Sequence, residues 1–331
     1  MRKTKMEIFG TIGPACSTQE IMREMFENGL TGMRLNMSHT SLKESRDVIQ
    51  NFHNAGEGSL LIDLQGPEVR VHVKEETELK ENLSVTLSAK DGIVIPDCVF
   101  EAVEVSDEIL LDDGKILLYA ERKNDREIEC IVKRGGILKN GKSIKITGKT
   151  VYGDTLTQMD LDNLKIAKEY GVNAVMQPFV HSAEDLKYIR SVLDSYGCSD
   201  IRIFAKIENM DGVENLSSIL PYADMIVIAR GDLGNDMELW HLPAVQKEIE
   251  KACRKSGTPF LVVTEMLSSM IEHPVPTRAE VSDIFNAAYD GCAAVMVTGE
   301  TAVGKYPAEV IRVLANTAYE GEKYREKEKN I

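Results

Sequence analysis

The sequence has 331 residues, 43% of them hydrophobic and 28% charged, with a formal net charge of −14. The acidic charge disfavours nucleic acid and anionic membranes as partners, and no apolar run approaches the ~20 residues of a membrane span. The length suffices for a barrel of about 250 residues with a small insertion. We therefore expect a cytoplasmic globular protein that does not bind membranes.

The six cysteines contain no C-x-x-C pair and no spacing typical of a metal cluster. We expect six reduced thiols, as is usual for a cytosolic protein.

The first 68 residues alternate between β-rich apolar runs and amphipathic runs, which predict strands and helices. The predicted order is strand Met6–Ile12, helix Thr18–Asn28, strand Thr31–Asn36, helix Leu42–Ala55 and strand Ser59–Leu64. Ser17 is the predicted N-cap of the first helix.

The pattern changes between residues 69 and 149, where no good amphipathic helix is found. Short alternating runs are separated there by turn signals such as Asp91-Gly92 and Asn140-Gly141. This composition predicts a small all-β domain, similar to a barrel, that is inserted after the third strand.

Strands and helices alternate again after Thr150. The predicted strands are Ala174–Phe179, Ile201–Ile207, Met225–Ala229, Phe260–Thr264 and Ala293–Thr298. The predicted helices are Asp160–Tyr170, Ala183–Ser195, Met210–Leu220, Pro243–Lys255, Arg278–Tyr289 and Ala308–Glu322, with a frayed tail from Tyr324. Eight strands outside the insertion predict an α/β fold, a (β/α)8 TIM barrel formed by residues 1–68 and 150–331. An open, doubly wound sheet is the alternative.

Polar residues, together with one glycine, follow most of these strands at the point where each strand ends. They are Arg34, Asn36, Ser38, His39, Asp63, Lys206, Glu208, Gly231, Asp232 and Thr264. Because the C-terminal ends of barrel strands surround one mouth, we expect these residues to meet there.

Lys206 and Glu208 are two residues apart, so both point to the same face of their strand. Lys206 and Glu208 could simply form a structural ion pair that has no role in a functional site. Asp232, from the next strand, could instead share a divalent metal with Glu208, and two carboxylates with open positions suit Mg²⁺ or Mn²⁺. The guanidinium of Arg34 suits a phosphate.

Several longer segments resemble the pyruvate kinase family, in that family's order. They are TIGPACS, MRLNMSH, LIDLQGPEVR, LLDDGKI, AKIENMDGVEN, IARGDLG, TEMLSSMIEHPVPTRAEVSD and TGETAVGKYP. The resemblance implies a glycolytic phosphotransferase that moves a phosphoryl group from phosphoenolpyruvate to ADP, giving pyruvate and ATP. It also implies that the inserted domain is a lid.

The resemblance implies roles for the residues at the predicted mouth. Lys206, Arg34 and Thr264 would be catalytic, and Gly231 and Asp232 would bind the substrate together with Arg34 and Thr264. Glu208 and Asp232 would bind Mg²⁺ or Mn²⁺.

The nucleotide and a monovalent cation would bind next to that site. Arg34, His39 and Lys142 would contact the nucleotide, although a surface or capping role for His39 is the alternative. Asn36, Ser38 and Asp63 would bind K⁺.

Departures from the family pattern leave alternatives open. Leu64 and Gln65 stand where many members have Thr and Lys, which puts the K⁺ site in doubt. The chain ends after the eighth barrel helix, which predicts a short form without the C-terminal regulatory domain, and a homodimer. The acceptor could differ from ADP, the enzyme could be a lyase or decarboxylase, or the protein could bind ligands without turnover.

Overall fold

The apolar runs of the sequence form a closed barrel of eight parallel strands in the computed structural model, which describes residues 4–112, 114–149 and 151–329. The strands of the chain are β1 (Glu7–Thr11), β2 (Gly32–Asn36), β3 (Ser59–Asp63), β4 (Thr77–Leu79), β5 (Ser84–Ser88), β6 (Ile93–Val94), β7 (Glu108–Leu111), β8 (Ile116–Lys123), β9 (Glu127–Arg134), β10 (Gly136–Leu138), β11 (Ile144–Ile146), β12 (Val172–Gln177), β13 (Arg202–Ile207), β14 (Met225–Ala229), β15 (Phe260–Val263) and β16 (Ala294–Met296). The barrel order is β1-β16-β15-β14-β13-β12-β3-β2. The predicted barrel is confirmed, and the open sheet is excluded.

Helices follow the barrel strands, as in other βα repeats, and one further helix, α3, lies in the inserted segment. They are α1 (Gln19–Glu27), α2 (Arg46–Ala55), α3 (Asp97–Ala102), α4 (Gln158–Ile166), α5 (Ala183–Ser195), α6 (Met210–Glu214), α7 (Leu216–Ile219), α8 (Arg230–Asn235), α9 (Leu242–Ser256), α10 (Arg278–Asp290), α11 (Gly299–Ala302) and α12 (Pro307–Lys329). Of the helices in the described ranges, none combines the length and apolarity that a membrane span requires.

The barrel interior is filled by side chains that alternate along each strand. On β13, Arg202 pairs with Glu7 at 3.1 Å and covers the ring of Phe204 at 4.9 Å. Phe204 in turn contacts Phe9 edge-on, with the ring centroids 6.4 Å apart. The next inward position on β13 is Lys206, so the packed interior ends directly beneath the polar residues of the mouth.

The inserted segment Gly66–Thr155 forms a compact unit separate from Met1–Gln65 and Leu156–Ile331. In its described part, β11-β7-β8-β9-β5-β6 form one sheet, and β10 pairs with β4. The expectation that this segment contains no helix is wrong, because α3 spans Asp97–Ala102 behind Pro96. Six residues are too few for an amphipathic period to be recognised.

Three other local predictions are wrong. The side chain of Thr18, not Ser17, caps α1 by accepting a hydrogen bond from the amide of Ile21. The predicted helix Met210–Leu220 is broken at Asn215, between α6 and α7. The tail is not frayed over its described length, because α12 continues to Lys329 and its acidic side chains bond Thr4, Lys5 and Tyr289.

Candidate active site

Four charged side chains meet at the C-terminal ends of β2, β3 and β13. The guanidinium of Arg34 donates to Oδ2 of Asp63 from Nε at 2.8 Å and from Nη2 at 2.5 Å. The ammonium of Lys206 lies 3.3 Å from the same Asp63 oxygen and 2.9 Å from Oε1 of Glu208. We call these four residues the charge network. It contains two cations and two anions, so its formal charge is zero.

The charge network is largely removed from water. The exposed fractions of its side chains are 13% for Arg34, 3% for Asp63, 15% for Lys206 and 1% for Glu208. Burial lowers the pKa of Lys206, but the charges of Asp63 and Glu208 outweigh it, so the net pKa lies above its usual range. Burial likewise raises the pKa of Asp63, but Lys206 and Arg34 outweigh it and hold that pKa low. Both groups therefore stay charged at neutral pH.

Glu208 accepts a second hydrogen bond, from the backbone amide of Phe179 to Oε2 at 2.8 Å. Phe179 follows β12 with φ +49°, a left-handed conformation that bulky side chains rarely adopt. Burial raises the pKa of Glu208 to about 7; Lys206 opposes this shift, and the charge of Asp232 adds to it. The strained backbone at Phe179 thus holds the Glu208 carboxylate, whose negative charge is only partly compensated because the negative charge of Asp232 also acts on it.

This pair of carboxylates fits a hard divalent cation. Glu208 is buried, whereas Asp232 is exposed at the start of α8. No group of three or more His, Cys, Asp or Glu side chains in the described ranges could hold a metal. A metal bound by these two residues would need further oxygen ligands, a requirement that suits Mg²⁺ or Mn²⁺ with water or substrate.

The backbone after β15 is strained over two residues. Thr264 has φ +81° and Glu265 has φ +55°, and each such residue costs about 1–3 kcal/mol. Oγ1 of Thr264 accepts a hydrogen bond of 3.2 Å from the amide of Gly231. A Cβ on Gly231 would meet Cγ2 of Thr264 at 3.0 Å, so a glycine permits this approach. The structure therefore brings Thr264 and Gly231 together, as the sequence predicts.

A cavity of about 610 Å³ lies beside Arg34 and contains Asn36 and His39 in its wall. Apolar side chains form much of the remaining lining; they are Ile12, Pro14, Leu35, Val48, Ala302 and Val303. The volume is in the usual range for a small-molecule site. Arg34 is thus shared between the charge network and this cavity.

The predicted monovalent-cation residues also lie near Arg34. Oδ1 of Asp63 is buried and has no hydrogen-bond partner among the described residues. Oδ1 of Asn36 accepts a hydrogen bond of 3.1 Å from the amide of Ser38. A buried carboxylate oxygen without a donor fits a cation, because such an atom is costly to leave unpaired.

Lys142 and Arg70 belong to the inserted unit. The ammonium of Lys142 pairs with Oδ1 of Asp112 at 2.8 Å, and Arg70 pairs with Glu68. The contact of Lys142 with a nucleotide stays a prediction.

Two residues of the site are not found by the sequence interpretation. Thr11 ends β1, and its hydroxyl accepts from Nη1 of Arg34 at 3.4 Å. The rule that polar residues end strands would find it if applied to β1. Phe179 contributes only its backbone amide, which has no signature in the sequence.

Comparison with known proteins gives a family for this site. The family model described as "Pyruvate kinase, barrel domain" matches residues 1–311. The pyruvate kinase of Clostridium perfringens is 34% identical, over 97% of this chain and 71% of the relative. The chain belongs to the pyruvate kinase family.

Two further members of the family are similar over nearly the whole chain. The pyruvate kinase of Bacillus licheniformis is 38% identical over 97% of this chain, and that of Geobacillus stearothermophilus is 37% identical over 96%. The chain spans 57% of the length of each of these two pyruvate kinases.

Replacing Asp63 by Asn tests the charge network. The variant leaves two buried cations with one anion, so we expect the free energy of unfolding to fall by about 3–5 kcal/mol. The matched control is Glu272→Gln, because Glu272 pairs with Lys305 where both side chains are more than 60% exposed; its loss of stability should be much smaller, since exposed ion pairs contribute little. Urea denaturation measures both, and equal losses would contradict the prediction.

The raised pKa of Glu208 predicts pH-dependent metal binding in the substrate-free protein. Protons compete with the metal below pH 7, so Mn²⁺ affinity should fall about tenfold for each pH unit below that value. Electron paramagnetic resonance of free Mn²⁺ measures this affinity. Glu272→Gln should keep the pH profile, and Glu208→Gln should bind weakly at every pH. A wild-type affinity that is constant from about pH 6 to about pH 7 would refute the assignment.

Proposed function

We propose that this protein transfers a phosphoryl group from phosphoenolpyruvate to ADP, giving pyruvate and ATP. The observation that carries the proposal is the ammonium of Lys206, held between Asp63 and Glu208 and beside Arg34 at the barrel mouth. Membership of the pyruvate kinase family supports it.

In this reaction the bond between phosphorus and the enol oxygen breaks, and a bond to a β-phosphate oxygen of ADP forms. Charge develops on the phosphoryl oxygens and on the enolate oxygen, so catalysis depends on positioned positive charge. Lys206 supplies that charge, and its raised pKa keeps it protonated. Arg34 adds a fork of donors for the phosphate. Lys206 therefore acts as an electrostatic stabiliser and not as the acid that protonates carbon.

Glu208 and Asp232 would hold Mg²⁺ or Mn²⁺, which would supply further positive charge to the phosphate and the enolate. The amides of Gly231 and Asp232 would bind the substrate carboxylate, and the Gly231 amide would exchange its hydrogen bond to Oγ1 of Thr264 for one to that carboxylate. Thr264 lies beside Gly231, and we assign it to the side from which the enolate carbon receives its proton.

The cavity beside Arg34 supports ADP as the acceptor. Its apolar lining suits a planar base, and Arg34 at its edge suits phosphates. His39 lies in the same lining. Asn36, Ser38 and the buried Oδ1 of Asp63 would bind K⁺.

A different acceptor, or a lyase or decarboxylase reaction on the same enolate, is the alternative. The departure at Gln65 does not favour it, because that side chain accepts from the hydroxyl of Thr157 at 3.1 Å and donates to the carbonyl of Met37 at 3.3 Å. Gln65 thus connects loops of the barrel. Proton exchange at the pyruvate methyl without nucleotide, with no pyruvate formed from ADP, would favour the alternative. Homodimer formation stays a prediction.

A coupled assay of pyruvate formation with phosphoenolpyruvate, ADP, Mg²⁺ and K⁺ tests the proposal. Lys206→Met removes the stabilising charge, so kcat should fall about 10³-fold. Lys305→Met is the matched control, because Lys305 is 61% exposed and pairs with Glu272; its kcat should stay at the wild-type value. The absence of pyruvate from wild-type protein at millimolar substrates would reject the function.

A further inference from the structure

Arg230 connects three parts of the barrel rim. Its Nη2 donates to the carbonyl oxygen of Thr264 at 2.6 Å and contacts Sδ of Met266 at 3.0 Å. Its Nη1 lies 2.7 Å from Oδ2 of Asp283 on α10. The Arg230 side chain is only 13% exposed. Its guanidinium therefore ties the start of α8 to the loop after β15 and to α10.

The segment that Arg230 holds is the strained one. Thr264 is β-branched, and its φ of +81° is an outlier for such a residue. Glu265 follows with φ +55°. A left-handed threonine persists only where surrounding contacts fix it. The charge-assisted hydrogen bond to its carbonyl oxygen is a contact of this kind.

The conformation of Thr264 determines where its hydroxyl lies. In the observed state, Oγ1 accepts from the amide of Gly231, which immediately follows Arg230 in the chain. A relaxed Thr264 would turn its side chain away from this amide. The Arg230 guanidinium therefore contacts the same residue whose hydroxyl accepts from the Gly231 amide.

We propose that Arg230, oriented by Asp283, is a positioning residue that holds Thr264 for the carboxylate end of the substrate. The inference rests on the proposed function only for the identity of the substrate, phosphoenolpyruvate. The conformational part, that Arg230 fixes Thr264, stands on the contacts of Arg230 alone.

A simple structural ion pair is the competing explanation, and it has different consequences. Loss of such a pair would lower stability and the active fraction, leaving the KM of both substrates unchanged. Loss of a positioning residue should weaken the binding of phosphoenolpyruvate and leave the binding of ADP unchanged. The cavity assigned to ADP is lined by other parts of the chain, including β1, β2 and the segment after β16.

Steady-state kinetics of Arg230→Met and Asp283→Asn test the positioning role. We expect Arg230→Met to raise the KM for phosphoenolpyruvate about tenfold or more, with the KM for ADP unchanged. Arg230→Lys cannot bridge the carbonyl and the carboxylate as a fork, so it should fall between Arg230→Met and wild type. Asp283→Asn also tests the role if Arg230→Met does not fold, because Asp283 is 37% exposed and its replacement should be tolerated. It should raise the KM for phosphoenolpyruvate but not the KM for ADP, and by less than Arg230→Met does.

The matched control is Arg312→Met, which removes an exposed arginine that pairs with Glu309 on α12. Both of its KM values should equal those of wild type. Equal changes in the two KM values, or no change in either, in both Arg230→Met and Asp283→Asn would overturn the positioning role.

Crystal structures of wild type and of the folded variant test the conformational part without turnover. Thr264 should keep its positive φ in wild type and move to negative φ in Arg230→Met, or lose its hydrogen bond to Gly231 in Asp283→Asn. An unchanged Thr264 would overturn the inference. If wild-type protein forms no pyruvate, the proposed function fails, and these structures alone decide whether Arg230 fixes Thr264.

Discussion

The pairing of Lys206 with two buried carboxylates is the interaction on which the site depends. A single ammonium inside a barrel would lose its proton or move out into solvent, because burial disfavours charge. Asp63 and Glu208 reverse that outcome, and Arg34 balances the second anion. Because the four charges sum to zero, the barrel can enclose them, yet two permanent cations remain available at its mouth. An enzyme that handles phosphate needs this combination of burial and charge.

The network also places cationic groups at one point of an otherwise acidic protein. A net charge of −14 repels phosphates at long range. Arg34 and Lys206 place two cationic groups beside one oxygen of Asp63, where low exposure strengthens each interaction. The raised pKa of Glu208 beside Asp232 indicates that the local balance is incomplete without a further cation. The carboxylates of Glu208 and Asp232, which raise the free energy of the substrate-free site, therefore suit a divalent metal.

Within the described part of the barrel unit, the non-glycine residues with positive φ all follow barrel strands. Phe179 and Thr264 both follow barrel strands, and both have positive φ although neither is glycine. In each case the unusual conformation directs a specific contact, an amide toward Glu208 or a hydroxyl toward the Gly231 amide. The rigid barrel supports this strain, since the strands on either side are fixed by their neighbours. Arg230 adds a second support at Thr264 only.

The sequence by itself determined the barrel, the insertion and the approach of Lys206, Glu208 and Gly231 to one mouth. These follow from periodicity, because alternation along a strand and the common direction of parallel strands are local properties. It did not determine the break in the helix at Asn215, the length of α12 or the helix behind Pro96, where tertiary contacts or short length override the pattern. Only the tertiary structure decided that Asp63 bridges Arg34 and Lys206, that the Phe179 amide binds Glu208 and that Arg230 reaches Thr264. These contacts join residues distant in sequence, or use backbone groups that every residue has, so no sequence pattern specifies them.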